Sequence, residues 1–187
     1  TIEQLTRYLA LLQKWNKAYN LTAIRDPEQM IALHLLDSLS ILPYVQGQKI
    51  IDVGTGPGFP GMVLAVCLPD KDFTLLDSNG KKTRFLTQVK MELGLNNVVV
   101  ANERVEQHAH QGSYDHVVSR AFASLKDMID WTFPLPNHNG NFLAMKGVYP
   151  EDEIALLPET IAVEQVIALP VPQVDAERHL VVMKRKG

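Results

Sequence analysis

The chain has 187 residues, 46% of them hydrophobic, enough to bury an ordinary core in one domain without staples. A formal net charge of −3 and a pI near 6.0 exclude a protein that coats nucleic acid through bulk positive charge, while leaving room for a local basic patch. The lone cysteine, Cys67, excludes an internal disulfide and a cysteine-based zinc site, and no apolar run approaches the roughly 20 residues of a membrane span.

Residues 1–45 read as a helical appendage. Leu5, Tyr8, Leu9, Leu12 and Trp15 recur at three and four residues, so they share one helix face that must pack on something. The polar opening Thr1-Ile2-Glu3-Gln4 is not that of a signal peptide, so cytoplasm is the expected compartment. At Arg25-Asp26-Pro27 the chain turns; Asp26 is placed to cap, and Pro27 to begin, a second helix carrying Met30, Ile31, Leu35 and Leu39.

From Lys49 the texture changes to short β-branched apolar runs alternating with helical stretches, the pattern of βα units around a buried parallel sheet. Strands are predicted at Lys49–Val53, Phe73–Asp77, Val98–Ala101, His116–Ser119 and Phe142–Lys146, with helices including Lys81–Leu93 and Leu125–Phe133 between them. Two further strands are predicted within Thr160–Ala168 and Arg178–Lys184. They are joined through Pro170-Val171-Pro172-Gln173 without a helix, which predicts an antiparallel hairpin closing one edge of the sheet.

The stretch Asp52-Val53-Gly54-Thr55-Gly56-Pro57-Gly58-Phe59-Pro60-Gly61 follows a predicted strand and opens a helix, where doubly wound folds bind ligands. Glycines there let a ligand approach the backbone and permit positive φ. A phosphate-cradling P-loop would need Gly-Lys followed by Ser or Thr, and a dinucleotide fingerprint would need glycine where Phe59 stands. The spacing Gly54-x-Gly56-x-Gly58 after Asp52 resembles instead the first motif of class I S-adenosylmethionine methyltransferases. Asp77, ending the second strand, is the expected carboxylate for both ribose hydroxyls, the alternative being a helix cap near Ser78. Asn102–Glu106 then falls where an adenine ring lies in that fold, with Val105 toward its face and Glu106 toward its polar edge.

Taken together, Trp15-Asn16-Lys17-Ala18-Tyr19-Asn20-Leu21-Thr22, His34-Leu35-Leu36-Asp37-Ser38, the glycine turn, Ser119-Arg120-Ala121-Phe122-Ala123 and Lys146-Gly147 resemble the glucose-inhibited division protein B family, the bacterial small-subunit (16S) ribosomal RNA guanine-N7 methyltransferases. The resemblance covers essentially the whole chain. It implies a Rossmann-like class I fold over residues 1–187 as a single domain. That domain would hold a helical appendage at 1–45 and a core at 46–187, with a seven-stranded, mostly parallel sheet whose last strand is antiparallel. It further implies S-adenosyl-L-methionine as cofactor, contacted by Gly54, Phe59, Val105, Glu106 and Arg120, to which the reading of the glycine turn and the second strand's end adds Gly56 and Asp77. Asn20, His34, Arg104 and Lys146 are similar to recurring polar positions of the family, and Asn20, His34 and Lys146 are taken as substrate-side residues. The expected partner is small-subunit ribosomal RNA or the assembling subunit, with no membrane, no metal and a monomeric state.

Guanine N7 carries an in-plane lone pair and no proton, so its methylation needs placement rather than a general base. No catalytic dyad is therefore expected. Arg120, directly after the fourth strand, is expected to offer its fork to guanine O6, a phosphate or the donor's carboxylate, with a surface ion pair as the alternative. Cys67 is read as core rather than nucleophile, and His108 and His110 as solvated rather than metal-binding. His34 and Asp37, one helical turn apart, are candidates for a local pair. Cations cluster at Lys14 and Lys17, at Lys81, Lys82 and Arg84, and at Lys184, Arg185 and Lys186; Lys81 and Lys82 fall in a helix's first turn, where the macrodipole disfavours them, which hints at a phosphate partner. The competing readings are a nicotinamide-dependent oxidoreductase, a noncatalytic ribosome-assembly factor that binds RNA, and a small-molecule methyltransferase.

Overall fold

The computed structural model describes residues 1–187. Helix α1 (Ile2–Tyr19) buries Leu5, Tyr8, Leu12 and Asn16 on the predicted face and ends at Asn20, whose left-handed φ of 51° suits asparagine better than a β-branched residue. Pro27 does open the second helix, α2 (Pro27–Met30), but Asp26 at its N-cap makes no side-chain bond. That helix is also not regular: Ile31–Leu36 winds as a π-helix before α3 (Asp37–Leu39) resumes. The extra residue per turn rotates the apolar face, so Ile31 is exposed while His34 turns inward.

All seven predicted strands form: β1 (Lys49–Val53), β2 (Asp72–Asp77), β3 (Val98–Asn102), β4 (Tyr114–Ser119), β5 (Pro136–Lys146), β6 (Ile161–Ala168) and β7 (His179–Arg185). Between them lie α4 (Gly61–Cys67), α5 (Gly80–Leu93), α6 (Leu125–Thr132) and the short α7 (Glu151–Ala155). The strand order is β3-β2-β1-β4-β5-β7-β6, parallel from β3 to β5, with β7 antiparallel to both β5 and β6. The predicted hairpin thus closes one edge by inserting β7 between β5 and β6.

One apolar cluster on one face of the sheet joins Leu5, Tyr8 and Leu12 of α1 to Phe59, Met62 and Leu64 around α4 and Phe85, Leu86 and Val89 of α5. The other face is filled by Leu125, Met128 and Ile129 of α6 against Ile51, Val117 and Phe142. Fully burying side chains of this size contributes about 1.5–3 kcal/mol each before ordering costs. Helix α5 has the cleanest ends: the Asn79 side chain accepts from the Lys81 and Lys82 amides, and Gly94 closes it at φ 66°. The strand order reverses between β1 and β4, which opens a crevice at their C-terminal ends.

Candidate active site

A cavity of about 310 Å³ occupies that crevice, lined among others by Gly54, Asp77, Glu103, Val105, Phe122 and Trp131. Gly54 of the glycine turn lines it, and the positive φ of Gly54, Gly56 and Gly58 favours glycine through the turn. At Gly58, φ is 112° and a Cβ would fall 2.3 Å from the Tyr8 hydroxyl, which donates to the Pro57 carbonyl. At Gly56, φ is 60° and a Cβ would meet nothing within 4 Å, so the backbone here is bare toward open space. Asp77 clasps the two loops of the crevice: Oδ2 accepts from the Gly56 amide at 2.9 Å and Oδ1 from the Asn79 amide at 2.8 Å. Asn79, which the sequence reading passed over, is the side chain that caps α5.

Beneath the turn, the Asp52 carboxylate is 1% exposed. Its Oδ2 accepts from the Thr55 hydroxyl and the Gly61 amide, both at 2.8 Å, whereas Oδ1 has no partner. Burial pushes this carboxyl up to about 7, against the opposing pull of its two donors and Arg120.

The residues that bring the N-terminal helices to the sheet edge meet on Phe59. Its ring is buried and lies outside the cavity lining, stacked on His34 with centroids 4.3 Å apart and on Tyr8 at 5.2 Å, with the Arg120 guanidinium 5.4 Å from its centre. Arg120 is therefore not the free fork expected from sequence. Its Nη1 donates to the Leu33 carbonyl at 3.2 Å and Asp37 Oδ2 at 3.1 Å, and its Nη2 donates to His34 Nδ1 at 3.1 Å. Three of five guanidinium hydrogens are so engaged. Asp37 also accepts from Arg178 Nε at 3.1 Å, so one buried carboxylate holds two arginines from β4 and the start of β7. His34 and Asp37 form no direct pair; Arg120 bridges them.

His34 is held in the same network. With Nδ1 accepting from Arg120, its proton sits on Nε2 and is donated to the Thr22 hydroxyl at 3.0 Å. The ring is 4% exposed, and burial, then the Arg120 charge, lowers its pKa to about 4. It is a neutral brace rather than a polar group open to substrate. Lys146 ends β5 on the predicted edge but pairs with Glu153 at 2.9 Å. Asn20 stands apart at the end of α1, exposed, accepting from Arg25 at 2.5 Å. Arg104 is exposed and 3.6 Å from Glu106 on the cavity rim. His108 is not solvated as predicted: it is buried between Glu103 at 2.6 Å and the Tyr114 hydroxyl at 2.7 Å, because the chain between β3 and β4 folds back over the sheet edge. His110 is exposed.

The two shifted groups predict opposing pH effects. Folded Asp52 keeps a proton that the unfolded chain releases near pH 4, so its contribution is present below that pH and is lost as pH rises through about 7. Neutral His34 contributes above its unfolded value of 6.5, and that contribution is lost as pH falls through about 4. Each is worth on the order of 3 kcal/mol at full span. Relative to the parent chain, His34→Gln should therefore lose stability steadily from pH 4 to 7. Asp52→Asn should instead gain it from pH 4 to 6.5. Thermal melts across that range check this, and two variants that merely track the parent profile would contradict it.

A family model described as rRNA small subunit methyltransferase G, GidB, matches residues 1–181. The chain is 73% identical over 187 residues to the ribosomal RNA small subunit methyltransferase G of Marinomonas sp. (strain MWYL1), covering 100% of this chain and 90% of that protein. It is 56% identical over 182 residues to the protein of the same name from Yersinia pseudotuberculosis serotype O:3 (strain YPIII), covering 97% and 88%. Among solved structures, a SAM dependent methyltransferase from Aquifex aeolicus superposes with a TM-score of 0.66 at 18% identity, covering 84% of this chain and 93% of that one. M. jannaschii TYW2 in complex with AdoMet superposes with a TM-score of 0.62 at 13% identity, covering 81% and 76%. These two likenesses concern the fold.

Proposed function

The chain belongs to the rRNA small subunit methyltransferase G family, GidB, and from that membership we propose that it is a cytoplasmic, monomeric enzyme that methylates guanine N7 of small-subunit ribosomal RNA from S-adenosyl-L-methionine. The observation that carries the proposal is the crevice at the β1/β4 reversal, where bare glycine backbone meets the Asp77 carboxylate. The residues present fit a sulfonium nucleoside. Asp77 is a carboxylate for ribose hydroxyls, Val53, Leu76, Val105 and Phe122 offer an apolar slot for a flat ring, and Glu106 lies at that slot's rim. No helix is long and apolar enough to cross a membrane, and no group of three or more His, Cys, Asp or Glu is placed to hold a metal ion.

The bound cofactor supplies an electrophilic methyl group on sulfur. The task of this chain is alignment, since the N7 lone pair attacks without losing a proton. Orienting two reactants can contribute up to about 7–11 kcal/mol. Gly54, Asp77, Val105 and Glu106 of the cavity lining would hold the donor, with the Gly56 amide kept in place by Asp77. Arg120, at the end of β4, keeps two hydrogens for guanine O6 or the donor's carboxylate while Asp37, His34 and Phe59 fix its plane. Asn20 and Lys146 would meet the substrate only as the family resemblance implies.

Titration followed by thermal unfolding separates this reading from a nicotinamide enzyme. S-adenosylhomocysteine at about 100 times its Kd should add about 2.7 kcal/mol of apparent stability, and NAD none. Stabilisation by NAD with no response to S-adenosylhomocysteine would overturn it.

A further inference from the structure

Two cationic clusters far apart in sequence meet through the packing of α1 on α5. Gln4 donates to the Leu93 carbonyl at 3.1 Å, Arg7 pairs with Glu92 at 2.8 Å, and the Trp15 and Phe85 rings lie 5.6 Å apart, so the helices run antiparallel. Continuing that register sets the last turn of α1, closed by Tyr19, beside the first turn of α5, with Lys81 and Lys82, while Lys17, two residues on from Trp15, points outward to solvent on that same turn. Helix α5 begins just after Asp77, so this seam borders the cavity at the C-terminal edge of the sheet.

Lys17 and Lys81 are exposed and Lys82 is half-buried, and none of the three pairs with a carboxylate. Lys81 and Lys82 stand at the positive end of the α5 dipole, a place that disfavours cations unless an anion joins them. Tyr19 closes α1 beside them, 43% exposed, with its ring 5.4 Å from that of Trp15. The third cluster differs. Lys184, Arg185 and Lys186 end β7, which runs against β5 and so reaches the opposite edge of the sheet, and Arg185 spends its fork on the Phe133, Pro136 and Asn137 carbonyls.

We propose that Lys17, Lys81 and Lys82 form the docking strip for the phosphate backbone of the RNA substrate, with Tyr19 as a stacking surface for an unpaired base. The proposal rests on the RNA methyltransferase reading above and adds where the RNA lies. Guanine N7 faces the major groove, which is too deep and narrow in A-form RNA for side chains to enter, so the target must be presented from unpaired or splayed RNA. Such RNA has neighbouring bases free to stack. Free lysines beside an exposed aromatic suit it better than they suit an acidic protein, for which the ring has no use.

The test uses the full chain and small-subunit ribosomal RNA, with binding measured from about 50 to 200 mM salt. The triple variant Lys17→Gln, Lys81→Gln, Lys82→Gln should lower the salt slope by about 2 and weaken RNA binding at least about 10-fold, on the basis of one released counterion per contact. Its affinity for S-adenosylhomocysteine should not change. Tyr19→Ala should weaken RNA binding about 10-fold and leave the slope intact. Lys184→Gln with Lys186→Gln serves as the charge control and should shift the slope by less than about 0.5. A triple variant with the parent's slope and affinity would overturn the strip, as would a control that falls equally. A parent chain that takes S-adenosylhomocysteine yet binds no RNA would instead sink the reading beneath it.

Discussion

Asp77→Ala is expected to raise the dissociation constant for S-adenosylmethionine at least about 100-fold. A charge-assisted hydrogen bond is worth about 1.5–3 kcal/mol, and this cavity-lining carboxylate also accepts from the Gly56 amide of the glycine turn. The loss is double. The ribose would lose its acceptor, and the Gly56 and Asn79 amides would lose the oxygens that hold the two loops at their present separation. Asp77→Asn keeps one acceptor oxygen but no charge and should fall between the two, near 10-fold, on the same scale. Calorimetric titration of folded variants reads this directly, and an Asp77→Ala protein with parental affinity would remove Asp77 from the binding site.

Arg120→Ala should cost both stability and catalysis, for separable reasons. Its fork ties Leu33, His34 and Asp37 to the end of β4, and Asp37 is only 7% exposed in its side chain. Removing one partner of a buried pair costs up to about 3–5 kcal/mol; since Arg120 is itself a quarter exposed and Arg178 still faces Asp37, about 2–3 kcal/mol is expected. Methyl transfer should fall by about 100-fold or more in kcat/KM if the remaining guanidinium hydrogens orient the reactants, which corresponds to about 2.7 kcal/mol. Asp37→Asn distinguishes the two roles. It loosens the same brace but keeps the arginine, so assayed below its melting temperature it should retain activity within about 10-fold of the parent. Equal activity losses in the two variants would make Arg120 structural alone.

Much of this architecture was legible because it is local. The β-branched runs at Ile50–Val53 and Val98–Val100 read as strands, buried in β1 and partly exposed in the edge strand β3, and Gly54, Gly56 and Gly58 mark a turn whose positive φ favours glycine. The apolar face of α1 follows from period alone. What escaped was set by long-range packing or by departures from regular geometry. A period of 3.6 cannot reveal a π-helical segment, so the inward turn of His34 was invisible, and so was its meeting with Arg120, 86 residues away. Pro136-Asn137-His138-Asn139-Gly140 has the composition of a turn, yet it is drawn into β5 around an irregularity opposite Tyr114. His108 sits in a polar stretch and is buried only because Tyr114 and Glu103 close on it. Likewise a hairpin can join a sheet by either strand, and only the packed structure tells that β7 is the inner one.

The cationic seam of α1 and α5 illustrates the same division. Each cluster can be read in the sequence, but their union depends on an antiparallel register fixed by Gln4, Arg7 and Trp15.

The most direct measurement supplies the folded chain with S-adenosylmethionine labelled in its methyl group and with small-subunit ribosomal RNA, then identifies the atom that carries the label. The account predicts a single labelled guanine, alkylated at N7. Label on an exocyclic amine, a ribose or a pyrimidine carbon, or unlabelled RNA from a chain that melts cooperatively and binds the cofactor, would contradict it.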